Sequence, residues 1–158
     1  VSTPEKMEEY PFVLTTGART YCYFHSEGKQ IPYLREINPD PLIEINPQDA
    51  LEHGIADGQW VRVSNPFGSC VLKAKVTQTV YPGLVMAQHG FWFPEEDGSE
   101  PNLYGTFRSQ INNLCPNGRM GKLGFGAPNK CLICNVEPVS ESYDTDMNLI
   151  WEKFGKLV

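Results

Sequence analysis

Apolar and polar positions alternate most cleanly over residues 69–77. Cys70, Leu72, Ala74 and Val76 fall on one face, and Val71, Lys73, Lys75 and Thr77 on the other, a period of two that predicts a strand. Asn65-Pro66-Phe67-Gly68 is a turn, so residues 60–64 and 69–77 are expected to pair as a hairpin. Tyr81-Pro82-Gly83 turns the chain into a further apolar strand at 84–87, and residues 130–137 supply a late one. An apolar run at 11–14 opens the pattern and breaks off at Thr15-Thr16-Gly17. The chain therefore reads as mainly β.

Helical spacing is confined to two places. Asn46 is a good N-cap, Pro47 fits the first helical position, Asp49 suits the positive end of the helix dipole, and Gly54 terminates the run. Asp57-Gly58 then turns into the next strand. A second helix is expected over 146–154, where Met147, Ile150, Trp151 and Phe154 form a stripe suited to packing rather than to a ligand. Residues 91–129 show no regular period. A loop of that length is normally functional or disordered, and Phe91-Trp92-Phe93 with Asn112-Asn113 favours function.

Composition narrows the class. At 158 residues, 41% hydrophobic and 20% charged, the chain is an ordinary globular domain. No apolar stretch approaches the roughly 20 residues that span a membrane. No basic-then-apolar leader opens it, and a first residue other than Met suggests that the natural N-terminus lies upstream. A net charge of −6 argues against a nucleic-acid surface. Acidic residues gather at 94–100 and from Glu137 onward, whereas 105–130 contains Arg108, Arg119, Lys122 and Lys130 and no acid, a segment suited to an anionic ligand.

Five cysteines at irregular spacing suit a reducing compartment better than a disulfide framework. Cys131 and Cys134 have the spacing of half a zinc or redox site, but i and i+3 of a strand point to opposite faces. No metal ligand stands in a recognisable context, and no catalytic triad is suggested by order.

The chemistry concentrates at Leu14-Thr15-Thr16-Gly17-Ala18-Arg19, followed by His25-Ser26. A strand that stops at Thr-Thr-Gly leaves backbone N–H groups for a ligand. Glycine permits close approach, and arginine offers a rigid fork of donors for phosphate or carboxylate. This reads as one wall of a site for a large phosphate-bearing molecule.

That block is followed in order by Pro41-Leu-Ile-Glu-Ile-Asn-Pro-Gln-Asp-Ala50, Gly54-Ile-Ala-Asp-Gly58, Val61-Arg-Val63, Gly68-Ser69, Pro82-Gly83, His89-Gly90-Phe91-Trp92, Asn113 and Lys130. The series, over about residues 11–138, resembles the C-terminal molybdopterin-dinucleotide-binding domain of the dimethyl-sulfoxide-reductase family of molybdenum or tungsten oxidoreductases. The resemblance implies a six-stranded double-psi β-barrel, of the aspartate-decarboxylase-like kind, with short helices. It implies an N-terminal segment at 1–10, the barrel at 11–138 and a C-terminal helical tail at 139–158. It further implies molybdopterin guanine dinucleotide, contacted by Thr16, Gly17, Arg19, His25, Ser26, His89, Asn113 and Lys130. Ala18 interrupts the family's Thr-Gly-Arg. The stretch Gly118-Arg-Met-Gly121-Lys-Leu-Gly124-Phe-Gly126 matches neither a Walker loop nor a dinucleotide fingerprint. His53 reads as a surface residue at a helix end.

On this resemblance the chain is one domain of an oxidoreductase and not catalytic alone. Its partners are the remaining catalytic domains, with iron–sulfur clusters among them, and an iron–sulfur electron-transfer subunit. The location implied is cytoplasmic, or periplasmic after folded export. Two rival readings of the same barrel are a protein-adaptor module and a self-processing pyruvoyl decarboxylase cleaving at Gly68-Ser69.

Overall fold

The computed structural model describes residues 4–18, 20–117 and 130–157. Six strands close into a barrel: β1 (Phe12–Ala18), β2 (Leu42–Ile45), β3 (Trp60–Asn65), β4 (Gly68–Val76), β5 (Leu84–Gln88) and β6 (Leu132–Pro138), in the spatial order β1-β5-β2-β4-β3-β6. β1 runs parallel to β5 and β2 parallel to β4, while the other four contacts are antiparallel. Closure leaves no open sheet edge. The inward residues of every strand, among them Leu14, Ile43, Val63, Leu72, Val85 and Leu132, are fully buried in one apolar core. Each such side chain contributes about 1.5–3 kcal/mol by leaving water.

The expected hairpin forms with Asn65 opposite Gly68, and the Asn65 Oδ1 accepts from the Phe67 and Gly68 amides. Gly68-Ser69 thus begins a strand beside a side-chain-closed turn. The expected short helix is α2 (Pro47–Glu52), with the Asn46 side chain capping the Gln48 amide. Cys134 is buried on β6, and Cys131 is exposed just before that strand begins, so the two thiols do not form a pair.

Two expectations change. The first strand does not stop at Thr15-Thr16-Gly17 but continues to Ala18. β5 lies alongside, with Thr15 opposite Met86 and Thr16 opposite Ala87, so a neighbouring strand takes up the ladder that the sequence left open. The register slips between Thr16 and Ala18, a bulge centred on Gly17. The irregular stretch after β5 is also a packed arm: it carries α3 (Thr106–Ser109) and tight 3₁₀ turns at Leu103–Gly105 and Ile111–Leu114. Phe91, Phe93, Ile111 and Leu114 anchor it. Its remaining part, with the 118–126 glycine-rich stretch, Arg119 and Lys122, lies outside the described residues.

α1 (Pro32–Ile37) turns Pro32 and Arg35 inward and packs Leu34 on the Tyr23–Phe91–Phe93 cluster, so a charged residue interrupts its buried face. α4 (Met147–Phe154) packs chiefly on α1. Trp151 meets Tyr33 edge to face at 4.8 Å and donates from Nε1 to Glu36 Oε1 at 2.7 Å. The lead-in to α4 ties the tail to the barrel, since Asp144 accepts from Trp60 Nε1 and Lys73.

Candidate functional site

Register alone places the site residues at one end of the barrel. The C-terminal ends of β1 and β5 meet there, because Ala18 pairs with Gln88. The start of β6 lies beside them, because Leu14 pairs with Leu132. Lys130 stands just before that strand, and its Nζ donates to the Thr16 carbonyl across a sequence separation of 114 residues. Gly17 has a φ of +97°, and a Cβ there would fall on the Lys130 ammonium. Glycine is favoured at the bulge by its backbone conformation, and a side chain there would also displace the end of the flexible Lys130. An ammonium carries three N–H donors, and Thr16 takes one.

The next loop brings in the histidines. His25 Nδ1 lies 2.8 Å from His89 Nε2. His25 adopts a left-handed φ of +53°, a conformation that costs a non-glycine residue about 1–2 kcal/mol and needs anchoring. Two anchors are visible. Lys29 Nζ donates to the His25 carbonyl at 3.3 Å, and Trp92 Nε1 donates to the Ser26 carbonyl at 2.6 Å. Gly90 has a φ of +70°, and a Cβ there would stand 2.9 Å from the His25 carbonyl carbon, so the two loops touch backbone to backbone. Gly90 also donates to Gln110 Oε1, which connects the histidine pair to the 3₁₀ turn bearing Asn113.

Asn113 differs from the simple base-edge contact expected of it. Its Nδ2 donates to the carbonyls of Ser69 at 3.3 Å and Phe107 at 2.6 Å, which occupies both N–H bonds and leaves Oδ1 as the acceptor. Arg108 is also committed internally. It is paired with Glu96 and lies over the Phe93 ring, so its charge does not serve an external anion. Arg19 lies outside the described residues. Ser26 lines a cleft of about 960 Å³ together with Tyr21, Phe24, Glu27, Ile31 and Trp92.

Lys29 had no signal in the sequence. It is only 1% exposed, and its ammonium sits 3.3 Å from the centroid of the Tyr23 ring. Burial pulls its pKa from the ordinary 10.5 down to about 7, the nearby Arg35 charge adds to this, and Cys22 opposes it. A small closed cavity is shared by Lys29, His25, His89, Thr20, Gln88 and Phe91. Arg35 lies behind, wholly buried, paired with Glu95 at 2.9 Å and donating to the Lys29 carbonyl at 3.2 Å.

Comparison with known proteins identifies the family of the domain. Residues 12–124 match the family described as the molydopterin dinucleotide binding domain. Dopamine dehydroxylase of Eggerthella lenta is 37% identical over 110 residues, which is 70% of this chain and 10% of that protein. The dimethyl sulfoxide/trimethylamine N-oxide reductase of Cereibacter sphaeroides is 34% identical over 130 residues, 82% of this chain and 16% of that one. Among solved structures, acetylene hydratase from Pelobacter acetylenicus superimposes with a TM-score of 0.75 at 25% identity, covering 86% of this chain and 19% of its own. The chain thus spans between a tenth and a fifth of the length of these relatives.

Proposed function

The chain belongs to the molydopterin dinucleotide binding domain family, and on that premise we propose that the rim described above holds the guanine form of the cofactor within a larger molybdenum or tungsten oxidoreductase. The carrying observation is the convergence of β1, the His25 loop, the end of β5, the Asn113 turn and Lys130 at one end of the barrel.

The residues present fit such a group. Gly17 and the remaining donors of Lys130 form a backbone-and-cation cradle suited to a pyrophosphate. Asn113, with its N–H groups turned to the protein, offers an acceptor that suits the N1–H and N2–H donors of guanine. His25, Ser26 and His89 form the polar wall for the pterin side. When bound, the cofactor's metal carries the redox chemistry. The barrel's residues bind the dinucleotide, orient it and screen it from water.

The rest of the enzyme is proposed to supply the other wall of the site and the metal ligand. Iron–sulfur clusters would lie in those domains, with a separate iron–sulfur subunit as electron partner. The whole protein is proposed to work in the cytoplasm, or in the periplasm after export in the folded state.

The test is made on the full-length enzyme. Acid release of the nucleotide should give GMP in proportion to pterin, and CMP would reject the guanine assignment. Lys130→Gln and Gly17→Ala should each lower the cofactor content several-fold. Full loading of both variants would remove the rim from the site.

A further inference from the structure

Lys29 stands out as a buried cation that, among the described residues, forms no ion pair. Burying an isolated ammonium is costly, and a protein normally matches it with a carboxylate or neutralises it. Both nearby carboxylates are engaged elsewhere: Asp40 by Lys73 and the Thr145 amide, and Glu95 by Arg35, whose guanidinium also donates to Pro39, Lys29 and Thr145 oxygens. Neither acid reaches Lys29.

The groups facing Lys29 can be named from each side. Its own loop presents Cys22, Tyr23 and the carbonyl of His25, α1 presents Arg35, and the stretch that follows β5 presents His89 and the Phe91 ring. Among the described residues none of these forms an ion pair with Lys29, and the Tyr23 phenol is pushed up by its own burial. The uncompensated side of Lys29 is the side of the histidine pair, with which it shares a closed cavity.

We propose that Lys29 is a positioning residue whose missing counter-ion is the dinucleotide cofactor itself: the anion bound at the rim draws a proton onto Lys29, which in turn holds the His25 carbonyl and with it the His25–His89 pair. This inference rests on the cofactor reading of the rim. The ammonium donates where a neutral amine donates less strongly, so cofactor and histidine geometry are coupled through one proton. With its free-state pKa near 7, Lys29 is largely neutral in the cofactor-free protein above that pH. The anion raises the pKa in the complex. The sign follows: binding is strongest below about pH 7 and weakens as pH rises, by at most about tenfold per pH unit for one proton, until the pKa of the complex is passed.

The experiment follows release of the cofactor from the purified full-length enzyme between pH 6 and pH 9, read as pterin fluorescence after oxidation. Wild type should release about tenfold or more faster at the alkaline end. Lys29→Met, nearly isosteric and uncharged, should release fast at every pH with the dependence flattened. Lys29→Arg, charged throughout, should release slowly at every pH, and it carries the test if the Met variant fails to fold. A wild-type pH profile in either variant, whatever its absolute rate, overturns the proposal. Lys130→Gln is run beside them: accelerated release there with unchanged Lys29 variants rejects only the role of Lys29. No acceleration in any variant rejects the rim as well.

Discussion

Two buried cations, six residues apart in sequence, live in opposite circumstances. The Arg35 guanidinium is matched on every side: Nε to the Pro39 carbonyl at 2.6 Å, Nη1 to Lys29, Nη2 to Glu95 and Thr145. Lys29 has a carbonyl at 3.3 Å and an aromatic face. Arg35 joins α1, the stretch after β5 and the C-terminal tail, so it reads as a structural clamp. Lys29 lies under the histidine pair at the rim, so its unmatched charge points to function. A buried charge whose donors are satisfied holds a fold together, and one left short is waiting for something outside it.

Breaking the clamp should have the largest effect. Arg35→Met leaves Glu95 buried without its partner, and a loss of about 3–5 kcal/mol is expected in urea unfolding of the full chain. A loss under 1 kcal/mol would show that the clamp is not structural.

Lys29→Met should act in the opposite sense. In cofactor-free protein at pH 7, replacing a poorly compensated charge by an apolar side chain is expected to raise stability by about 1–4 kcal/mol. The pH dependence sharpens the contrast. With a folded pKa near 7 against an ordinary 10.5, the unfolded chain binds more protons between those values. Wild-type stability therefore rises with pH across that window and falls as pH drops through 7. Differential scanning calorimetry should show this slope in wild type and its loss in the variant.

The smallest effect is expected at the exposed ion pair that fastens the tail. Hydrogen bonds from Lys73, and then from Trp60, hold the Asp144 carboxyl down at about 2 against its usual 3.8. Its stabilisation is present above about pH 4 and disappears as pH falls towards 2. Because the Asp144 side chain is 57% exposed, solvent screens the pair, and Asp144→Asn should cost only about 0.2–1 kcal/mol at pH 7. Wild type and variant should converge near pH 2 in chemical denaturation.

Local pattern made much of the fold legible. The period-two run of β4, the turn at Asn65–Gly68 and the cap of α2 are statements about neighbours in sequence, and each stands where it was expected. The extent of β1 was not legible, since its last residues become strand only because β5 lies beside them. α1 was missed because an inward arginine breaks the apolar stripe on which helix recognition depends. Of the site, Thr16, Gly17, His25, His89 and Lys130 are gathered at the rim. Asn113 joins them with its amide nitrogen already engaged, and the charge of Arg108 is withdrawn by Glu96.

Periodicity, caps and the order of motifs, then, determine by themselves a mainly β domain, five of its six strands and the family to which it belongs. These depend on short-range sterics and on which residues leave water, and both are written locally. Tertiary structure alone decided that Lys130 would cover Gly17, that Lys29 would be sealed beneath His25, and that Arg35 and not Lys29 would receive the carboxylate. Burial and ion pairing depend on what chain closure brings alongside, and no spacing along the chain encodes it.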